Sequence, residues 1–265
     1  MSERKAVFIS GAASGIGLAA AKKFAREGWL VGIADIDEAG AKAAVAALGN
    51  GAGLAYKLDV RDEAQWKTTL EDFVKQSGGR LDALVNNAGL ATYNWFEDQT
   101  LAEHMLQIDV NITGVVLGAY TALPYLKKTP HARLINIASQ ASLGSSPRLA
   151  VYSGTKHFVR ALSEALDLEF MRNGVRVSAI CPGLIDTPLL DKAGDHKGRS
   201  FREAVAQAPL ISPDKVADAI FESYSGEHVH YAIGETAERQ AEPHRKIAAE
   251  ARARWAAMLP PRPAS

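Results

Sequence analysis

Short apolar runs alternate with longer segments of mixed polarity along most of the chain. The runs are AVFIS (6–10), LVGIAD (30–35), GLAYKLD (53–59), ALVNNA (83–88), RLINIAS (133–139), VRVSAIC (175–181) and VHYAI (229–233). Between them apolar residues recur every three or four positions, which is typical of amphipathic helices. Nearly continuous apolar strands separated by helices predict a sheet buried on both faces. We therefore expect an α/β fold with a doubly wound, mostly parallel sheet of about seven strands and helices on both faces.

Size and composition bound the function. The chain has 265 residues, of which 47% are hydrophobic, enough to bury one sizeable core. Lys and Arg number 30, as do Asp and Glu, so the net charge of +0 offers no basic surface for nucleic acid or an anionic membrane. The charged start lacks a signal-peptide layout, and we see no apolar segment approaching about 20 residues. We expect a soluble cytoplasmic protein.

A glycine-rich turn follows the first run directly, in the sequence SGAASGIG (10–17). Gly11, Gly15 and Gly17 stand between a strand and a helix, where missing side chains let a pyrophosphate approach free backbone amides. The spacing is not the common G-x-G-x-x-G, and glycines in tight turns also have a purely structural explanation. The second run ends in Asp35, at about the distance where a carboxylate would bind the adenosine ribose of a dinucleotide.

Asp35 also bears on the choice between NAD and NADP. A 2'-phosphate placed against its carboxylate would be repelled, and the neighbouring sequence has no Lys or Arg to offset that charge. We therefore predict NAD as the cofactor. A solvated carboxylate at a strand end is the alternative interpretation of Asp35.

Several motifs, in order, resemble the short-chain dehydrogenase/reductase family in its single-domain, NAD-dependent branch. They are SGAASGIG (10–17), LDV (58–60), NNAG (86–89), YSGTK (152–156) and CPGLIDT (181–187). The resemblance runs from residue 5 to about 225, with Ser10 in place of the usual threonine. It implies a set of cofactor-binding residues: Gly11, Ser14, Gly15, Ile16, Gly17, Asp35, Ile36, Asp59, Val60, Asn86, Asn87, Ala88, Gly89, Tyr152, Lys156, Pro182, Gly183, Ile185 and Thr187.

Tyr152 and Lys156 are four residues apart on a predicted helix and therefore share one face. A phenol has a pKa of about 10, and a nearby cation, the oxidised nicotinamide included, would lower that pKa. Without the family, such a pair is usually a surface pair. The resemblance implies that Tyr152 removes the proton of an alcohol, or returns it in reduction, and that Lys156 also binds the nicotinamide ribose.

Ser139 and Asn111 complete the catalytic set that the resemblance implies. Ser139 ends the run RLINIAS and would donate a hydrogen bond to the substrate oxygen as charge develops there. Ser142 is a candidate to assist it, and Ser145 and Ser146 are nearby rivals. Asn111 matches the family asparagine that distorts a helix and holds a water near the lysine. A structural bridge is its alternative interpretation.

The candidate substrate contacts are mostly apolar. They are Ser139, Ala141, Tyr152, Leu184 and Leu189, with Ala91, Tyr93, Trp95, Leu143, Leu149 and Leu190 as further candidates. Such a lining favours a hydrophobic secondary alcohol or ketone over a sugar or phosphate ester. The alternative interpretation of the Tyr, Trp and Leu positions is that they lie in the core or at a subunit interface.

Glycines and charges in residues 188–210 suit a mobile lid over the substrate. His196, within this segment, has no second ligand type nearby, so we expect no metal. The lone Cys181 lies in an apolar run and is expected to be a core residue.

We divide the chain into a dinucleotide-binding and catalytic domain (1–235) and a C-terminal helical extension and tail (236–265). Pro243 is expected at a helix start. A stripe of Ile247, Ala251, Trp255 and Met258 is expected to pack on the parent subunit, cap a neighbour's active site or alter assembly. We expect a homo-oligomer, a tetramer in preference to a dimer, formed through the helices that hold Asn111 and Tyr152.

The favoured function is hydride transfer between NAD and a hydrophobic secondary alcohol or ketone. One alternative is an NADP-dependent carbonyl reductase. The other is a non-catalytic protein that senses dinucleotides and has lost turnover. The intact set of Ser139, Tyr152 and Lys156 favours the enzyme.

Overall fold

The computed structural model describes residues 4–49, 51–194 and 200–258. These contain a seven-stranded sheet in the order β3-β2-β1-β4-β5-β6-β7, and every neighbouring pair is parallel. The strands are β1 (Ala6–Ser10), β2 (Leu30–Asp35), β3 (Gly53–Lys57), β4 (Ala83–Asn86), β5 (Arg133–Ile137), β6 (Arg176–Pro182) and β7 (His230–Ile233). The predicted doubly wound α/β fold is confirmed, and the ends of each apolar run agree with those of one strand to within two residues.

Helices connect the strands and cover both faces of the sheet. They are α1 (Gly15–Arg26), α2 (Glu38–Leu48), α3 (Glu63–Gln76), α4 (Leu101–Ile108), α5 (Gly114–Leu126), α6 (Ala150–Phe170), α7 (Pro188–Lys192), α8 (Phe201–Ala204), α9 (Pro213–Ser225) and α10 (Glu235–Met258). A π-helical turn, Asp109–Thr113, joins α4 to α5.

Strand β1 shows how the two layers of core form. All five of its residues are buried, and successive side chains point to opposite faces. Val7 and Ile9 pack with Phe24 in one cluster, whereas Phe8 packs with Trp66 in the other. The strand order reverses between β1 and β4, and in such sheets ligands bind in the crevice outside the carboxyl ends at that point.

The continuous helical stretch Leu101–Leu126 corrects one expectation from the sequence. It spans 26 residues and is long and apolar enough to pass a length-and-composition test for a membrane span. Its apolar face packs on the sheet through residues such as Ala119, Ala122 and Leu126. We therefore interpret it as a core helix, since a helix that covers a buried parallel sheet must itself be apolar.

Helix α10 differs from the prediction for the extension. It begins at Glu235, and Pro243 lies inside it, so the predicted helix start at Pro243 is wrong. The helix extends further upstream because Ala237 and Ala241 are buried there against the core, and such packing stabilises a helix despite an internal proline.

The predicted apolar stripe of α10 does not pack on its own subunit. Ile247, Trp255 and Met258 are 64%, 40% and 66% exposed. The interpretation that the stripe packs on the parent subunit is therefore wrong for these three side chains. Its other two predicted roles, at a neighbour's active site or in assembly, stay predictions.

Candidate active site

The glycine-rich loop brings backbone amides to the crevice between β1 and β4. Gly11 and Gly15 have φ of +64° and +55°, a conformation that other residues adopt only with strain. Helix α1 starts at Gly15, its N-cap Ser14 makes no side-chain capping bond, and no acidic residue lies in its first turn, which contains Ile16. The first amides of α1 are therefore left for an anion, as a helix N-terminus favours.

Hydrogen bonds join this loop to the NNAG segment after β4. The buried Ser10 hydroxyl accepts from the backbone N–H of Asn87 (3.1 Å) and of Ala88 (3.2 Å). The Asn87 amide donates to the carbonyls of Ser10 (3.0 Å) and Gly11 (2.8 Å). A Cβ on Gly17 would lie 2.4 Å from the Gly11 oxygen, so the approach requires glycine. Asn86 instead points inward, where its amide donates to Asn136 at 2.9 Å.

Asp35 is held at the carboxyl end of β2. Its carboxylate accepts from the backbone N–H of Ala13 and of Asp37, both at 3.0 Å. Ile36, the next residue, is 62% exposed. The sheet register also places Lys57 of β3 beside Asp35, a cation that the local sequence did not indicate. The positive charge of Lys57 would attract a 2'-phosphate and therefore favours NADP.

Asp59 and Val60 follow β3, where the resemblance implies contact with adenine. The Asp59 carboxylate is paired with Arg61 at 2.6 Å, and this hydrogen bond lowers its pKa below the ordinary value. Val60 is buried and packs against Gly114, where a Cβ would lie 2.8 Å from the valine Cγ2. The adenine contact of both residues stays a prediction.

The loop after β6 approaches the glycine-rich loop from the opposite side. Pro182 ends β6, Gly183 donates its N–H to the Ile233 carbonyl, and Ile185 is buried. A Cβ on Gly15 would lie 3.3 Å from the Thr187 methyl carbon. The residues predicted to bind the cofactor thus come together from β1, β2, β4 and β6. Free helix amides beside glycines, with a carboxylate at the end of β2, fit a nicotinamide dinucleotide.

Lys156 lies deep at the carboxyl end of β5. Its side chain is almost wholly buried, and its ammonium donates to the Ile137 carbonyl at 2.8 Å. The Nζ atom lies 5.7 Å from the centre of the Tyr152 ring. A Cβ on Gly89 would lie 3.5 Å from the same nitrogen, so the NNAG segment borders Lys156. Burial lowers the pKa of Lys156 to about 8.

The pKa of Tyr152 moves in the direction opposite to the prediction in the chain by itself. Desolvation raises it, while a hydrogen bond with Ser139 acts in the lowering direction without reversing the shift. The prediction that Lys156 lowers this pKa is therefore not met in the chain alone. The reason is that burial, invisible in the spacing of the two residues, is the larger effect.

Ser139 lies just beyond β5 and caps a short 3₁₀ turn, Gln140–Ser142. Its hydroxyl accepts from the backbone N–H of Ala141 at 3.1 Å. Ser142 is fully buried, and its hydroxyl donates to the Ser139 carbonyl at 2.6 Å. This hydrogen bond holds the Ser139 backbone in place. Ser145 and Ser146 are exposed. Of these four serines, only Ser139 affects the pKa of Tyr152, which it acts to lower. The catalytic role of Ser139 stays a prediction.

Asn111 is buried in the π-helical turn, as its predicted distortion of a helix requires. Its Oδ1 accepts from the Leu90 N–H at 2.9 Å. Its Nδ2 donates to the Leu90 carbonyl (2.9 Å) and to the Thr155 hydroxyl (3.1 Å). Asn111 therefore bridges the loop after β4 to helix α6, which supports the structural interpretation. A role in proton relay stays a prediction.

Helices α7 and α8 occupy the predicted lid segment. Arg202 of α8 pairs with Asp191 (2.5 Å) and Asp186 (2.7 Å), and donates to the Thr187 carbonyl at 3.1 Å. Phe201 stacks on Tyr93 with ring centres 4.5 Å apart. The Arg148 guanidinium lies 4.3 Å from the centre of the same tyrosine ring. The ring stack holds α8 against the loop after β4, and the Arg202 contacts hold it against α7 and the loop after β6.

The other candidate lining residues are divided between core and partly exposed positions. Ala91, Leu149 and Leu190 are buried. Those that remain partly exposed are Tyr93, Ala141, Leu143, Leu184 and Leu189, whereas Trp95 is 50% exposed. His196 lies outside the described residues. Within the described ranges no group of three His, Cys, Asp or Glu side chains is arranged to hold a metal.

Sequence reasoning did not identify two arginines near the site. Arg202 clamps α8 to the loop after β6, and Arg160 donates to the Ser142 carbonyl at 2.9 Å. Arg160 follows Lys156 by four residues, so its place on the same helix face was a signal that could have drawn attention to it. Cys181 is fully buried, as expected, and burial raises its pKa to about 11.

Comparisons with known proteins agree with this geometry. The family description "short chain dehydrogenase" matches residues 5–198. The chain is 39% identical over 187 residues to the 2,5-dichloro-2,5-cyclohexadiene-1,4-diol dehydrogenase LinX of Sphingobium indicum, covering 70% of this chain and 74% of that protein. It is 36% identical to a 3-alpha-(or 20-beta)-hydroxysteroid dehydrogenase of Mycobacterium tuberculosis, covering 71% of each.

A solved structure is also similar. It is the 3-ketoacyl-(acyl-carrier-protein) reductase of Brucella melitensis complexed with NADH, with a TM-score of 0.77 and 31% identity. The match covers 87% of this chain and 97% of that one. From its fold, its ordered motifs and these matches, we conclude that the chain belongs to the short-chain dehydrogenase family of oxidoreductases.

Proposed function

We propose that this chain transfers hydride between NAD and a hydrophobic secondary alcohol or ketone. The observation that carries the proposal is the convergence of Ser139, Tyr152 and Lys156 beside the NNAG segment. Ser139 lies close enough to Tyr152 to oppose part of the rise in the pKa of its phenol, while the buried Lys156 lies one helical turn away. This grouping supports a site in which an acid, a hydroxyl donor and a cation act on a carbonyl oxygen as it gains charge.

Each side chain has a distinct role in this proposal. Ser139 donates a hydrogen bond to the substrate oxygen, and Tyr152 gives that oxygen a proton in reduction or removes it in oxidation. The raised pKa keeps Tyr152 protonated near neutrality, which suits the donor role. Bound NAD supplies the hydride acceptor and, in its oxidised form, a positive charge that would favour phenolate.

Asp35 supports NAD over NADP, whereas the glycine-rich loop fits either cofactor. The amides at the start of α1 would hold the pyrophosphate, and the Asp35 carboxylate would accept from the ribose hydroxyls. Lys57 favours the NADP alternative, but the Asp35 carboxylate is already oriented by Ala13 and Asp37 at the strand end. A 2'-phosphate there would meet a fixed negative charge.

The substrate class follows from apolar and aromatic residues around the catalytic group. Leu184 and Leu189 remain partly exposed near Thr187, and the stacked rings of Tyr93 and Phe201 border the same region. The relatives named above act on a cyclic diol and on steroids by their names. A cyclic or steroid-like secondary alcohol is therefore the first class to assay.

We also propose a homo-oligomer formed through α4, α5 and α6, with a tetramer favoured over a dimer. Exposed apolar side chains on these helices support it: Leu101, Met105, Leu106, Val116, Tyr120 and Phe158. Large apolar patches on a helix surface are typical of subunit interfaces.

Tyr152→Phe tests the proposed chemistry. The variant keeps the ring but lacks the proton, so turnover of a cyclic secondary alcohol with NAD should fall by about 10²–10⁴-fold. The affinity for NADH, measured by fluorescence, should change little. Unchanged turnover would exclude Tyr152 as the acid or base. A wild-type protein that binds NADH but oxidises none of the alcohols would instead favour the dinucleotide sensor.

A further inference from the structure

Helix α10 reaches the catalytic serine through a chain of polar contacts. Its residue His244 lies 3.2 Å, at Nδ1, from the Nη1 of Arg160 on α6. The Arg160 Nε donates to the Ser142 carbonyl at 2.9 Å. Ser142 in turn donates its hydroxyl to the Ser139 carbonyl at 2.6 Å. Three hydrogen bonds therefore connect the C-terminal extension to Ser139.

Contacts at two nitrogens, Nε and Nη1, hold the Arg160 side chain. It is only 14% exposed, and its Nη1 pairs with Glu164 at 2.5 Å. The fully buried His230 of β7 contacts the same carboxylate oxygen at 2.8 Å. Burial by itself would raise the pKa of Glu164, but the His230 hydrogen bond and the Arg160 charge bring that pKa below its ordinary value. Glu164 thus stays a carboxylate that holds the guanidinium.

His244 is suited to accept the hydrogen bond from Arg160. Burial, and then the charge of Arg160, lower the pKa of His244, which keeps the ring neutral. A neutral imidazole presents one nitrogen as an acceptor, and an arginine can only donate. The Nδ1 atom therefore serves as the acceptor.

Two other contacts place α10 against the same region. Arg245 donates to the His230 carbonyl at 3.0 Å and so ties the helix to β7. A Cβ on Gly144 would lie 3.2 Å from the Gln240 Nε2, so the loop that follows Ser142 passes close to α10. The extension therefore borders the serine-bearing turn directly as well as through Arg160.

We propose that Arg160, held by Glu164 and by His244 of the C-terminal helix, is a positioning residue for the catalytic Ser139. This inference rests on the proposed function of Ser139. Arg160 touches neither the serine hydroxyl nor the reacting oxygen. It orients the turn Gln140–Ser142, on which the direction of the Ser139 hydroxyl depends. A misplacement of about 1 Å in a hydrogen-bond donor is enough to reduce turnover strongly.

The first test replaces Arg160 in the full-length protein. Arg160→Met should lower kcat by about 10–100-fold, with a smaller change in KM, because the lost alignment matters most when charge develops. The NADH affinity should stay within about twofold, since the cofactor contacts lie elsewhere. Arg160→Lys, which keeps one donor, should recover part of kcat.

A double-mutant cycle with Ser139→Ala decides whether Arg160 acts through the serine. If it does, Arg160→Met in the Ser139→Ala background should cost at most about twofold in kcat. Additive losses would overturn the proposal. If Ser139→Ala alone leaves kcat unchanged, the proposed function of Ser139 has failed, which is a separate outcome.

His244→Ala keeps Arg160 and its pair with Glu164, so it tests the extension even if Arg160→Met folds poorly. Its kcat should fall in the same direction as in Arg160→Met, but less. Lys246→Ala, at an exposed position two residues along α10, is the matched control and should equal wild type. Equal kcat in His244→Ala and wild type would contradict a positioning role for the helix.

Discussion

The two sides of the crevice are organised by different physical means. The glycine-rich side, formed by residues 10–17 and 86–89, is joined mainly by backbone amides and carbonyls with the Ser10 and Asn87 side chains. On the proposed catalytic side, formed by Ser139, Tyr152 and Lys156, burial governs the pKa values, and the nearby Arg160 and Glu164 contact His244 of α10 and His230 of β7. The first side is therefore organised mainly by close backbone approach, and the second mainly by burial and charge.

Gly17→Ala should have the largest effect and would break the glycine-rich side. The new Cβ would lie 2.4 Å from the Gly11 oxygen and 2.5 Å from the Asn87 amide nitrogen. Backbone atoms cannot yield cheaply, so the free energy of unfolding should fall by about 1–3 kcal/mol. NADH affinity, measured by fluorescence titration, should fall by at least about tenfold as the anion cradle opens.

Gly154→Ala is the control for that substitution. No atom lies within 4 Å of the position of its Cβ, and the residue is exposed on α6. Alanine in a helix should raise the free energy of unfolding by about 0.5–1 kcal/mol. If both variants lose stability equally, the close approach at Gly17 is not the cause.

Lys156→Met should reveal how much the burial of a charged lysine lowers the free energy of unfolding. Burial lowers the pKa of Lys156 to about 8 from an ordinary 10.5, so the folded chain releases this proton first as pH rises. Between these two values the unfolded chain holds more protons, and the lysine's contribution to stability increases with pH, by an upper limit of about 3 kcal/mol. Denaturant unfolding from pH 7 to 10.5 measures it.

The quantity to compare is the pH dependence of wild type minus that of Lys156→Met. This difference cancels buried tyrosines such as Tyr224, whose pKa is raised by burial and which act in the opposite direction. Lys246→Met, at an exposed site, should show no such difference from wild type. A flat difference for Lys156→Met would mean that the buried ammonium carries no appreciable desolvation cost.

Asp35→Asn should have the smallest of these effects. It tests whether the Asp35 carboxylate makes the protein prefer NAD to NADP. Removing the charge without changing the size should raise the ratio of kcat/KM for NADP to that for NAD by about tenfold. The measurement is the initial rate with each cofactor. Asp37→Asn, which keeps a good helix N-cap, should change the ratio less. A higher kcat/KM for NADP than for NAD in the wild-type protein would contradict the assignment of NAD.

The sequence predicted the loop of residues 10–17 well because its structure is local. Gly11, Gly15 and Gly17 sit between a strand and a helix, and Asp35 ends the next strand, so pattern and spacing specify the arrangement. Lys57 was missed because its closeness to Asp35 comes from the pairing of β2 with β3. Register between strands is a property of the assembled sheet.

On the catalytic side the sequence by itself determined which residues share a helix face, since Tyr152 and Lys156 are one turn apart whatever surrounds them. Only the tertiary structure decided the direction of their pKa shifts, because desolvation depends on the number of distant groups that exclude water. It also decided where α10 begins, and brought His244 to Arg160, 84 positions away. A helix's packing and a charge's environment both arise from contacts that no local pattern contains.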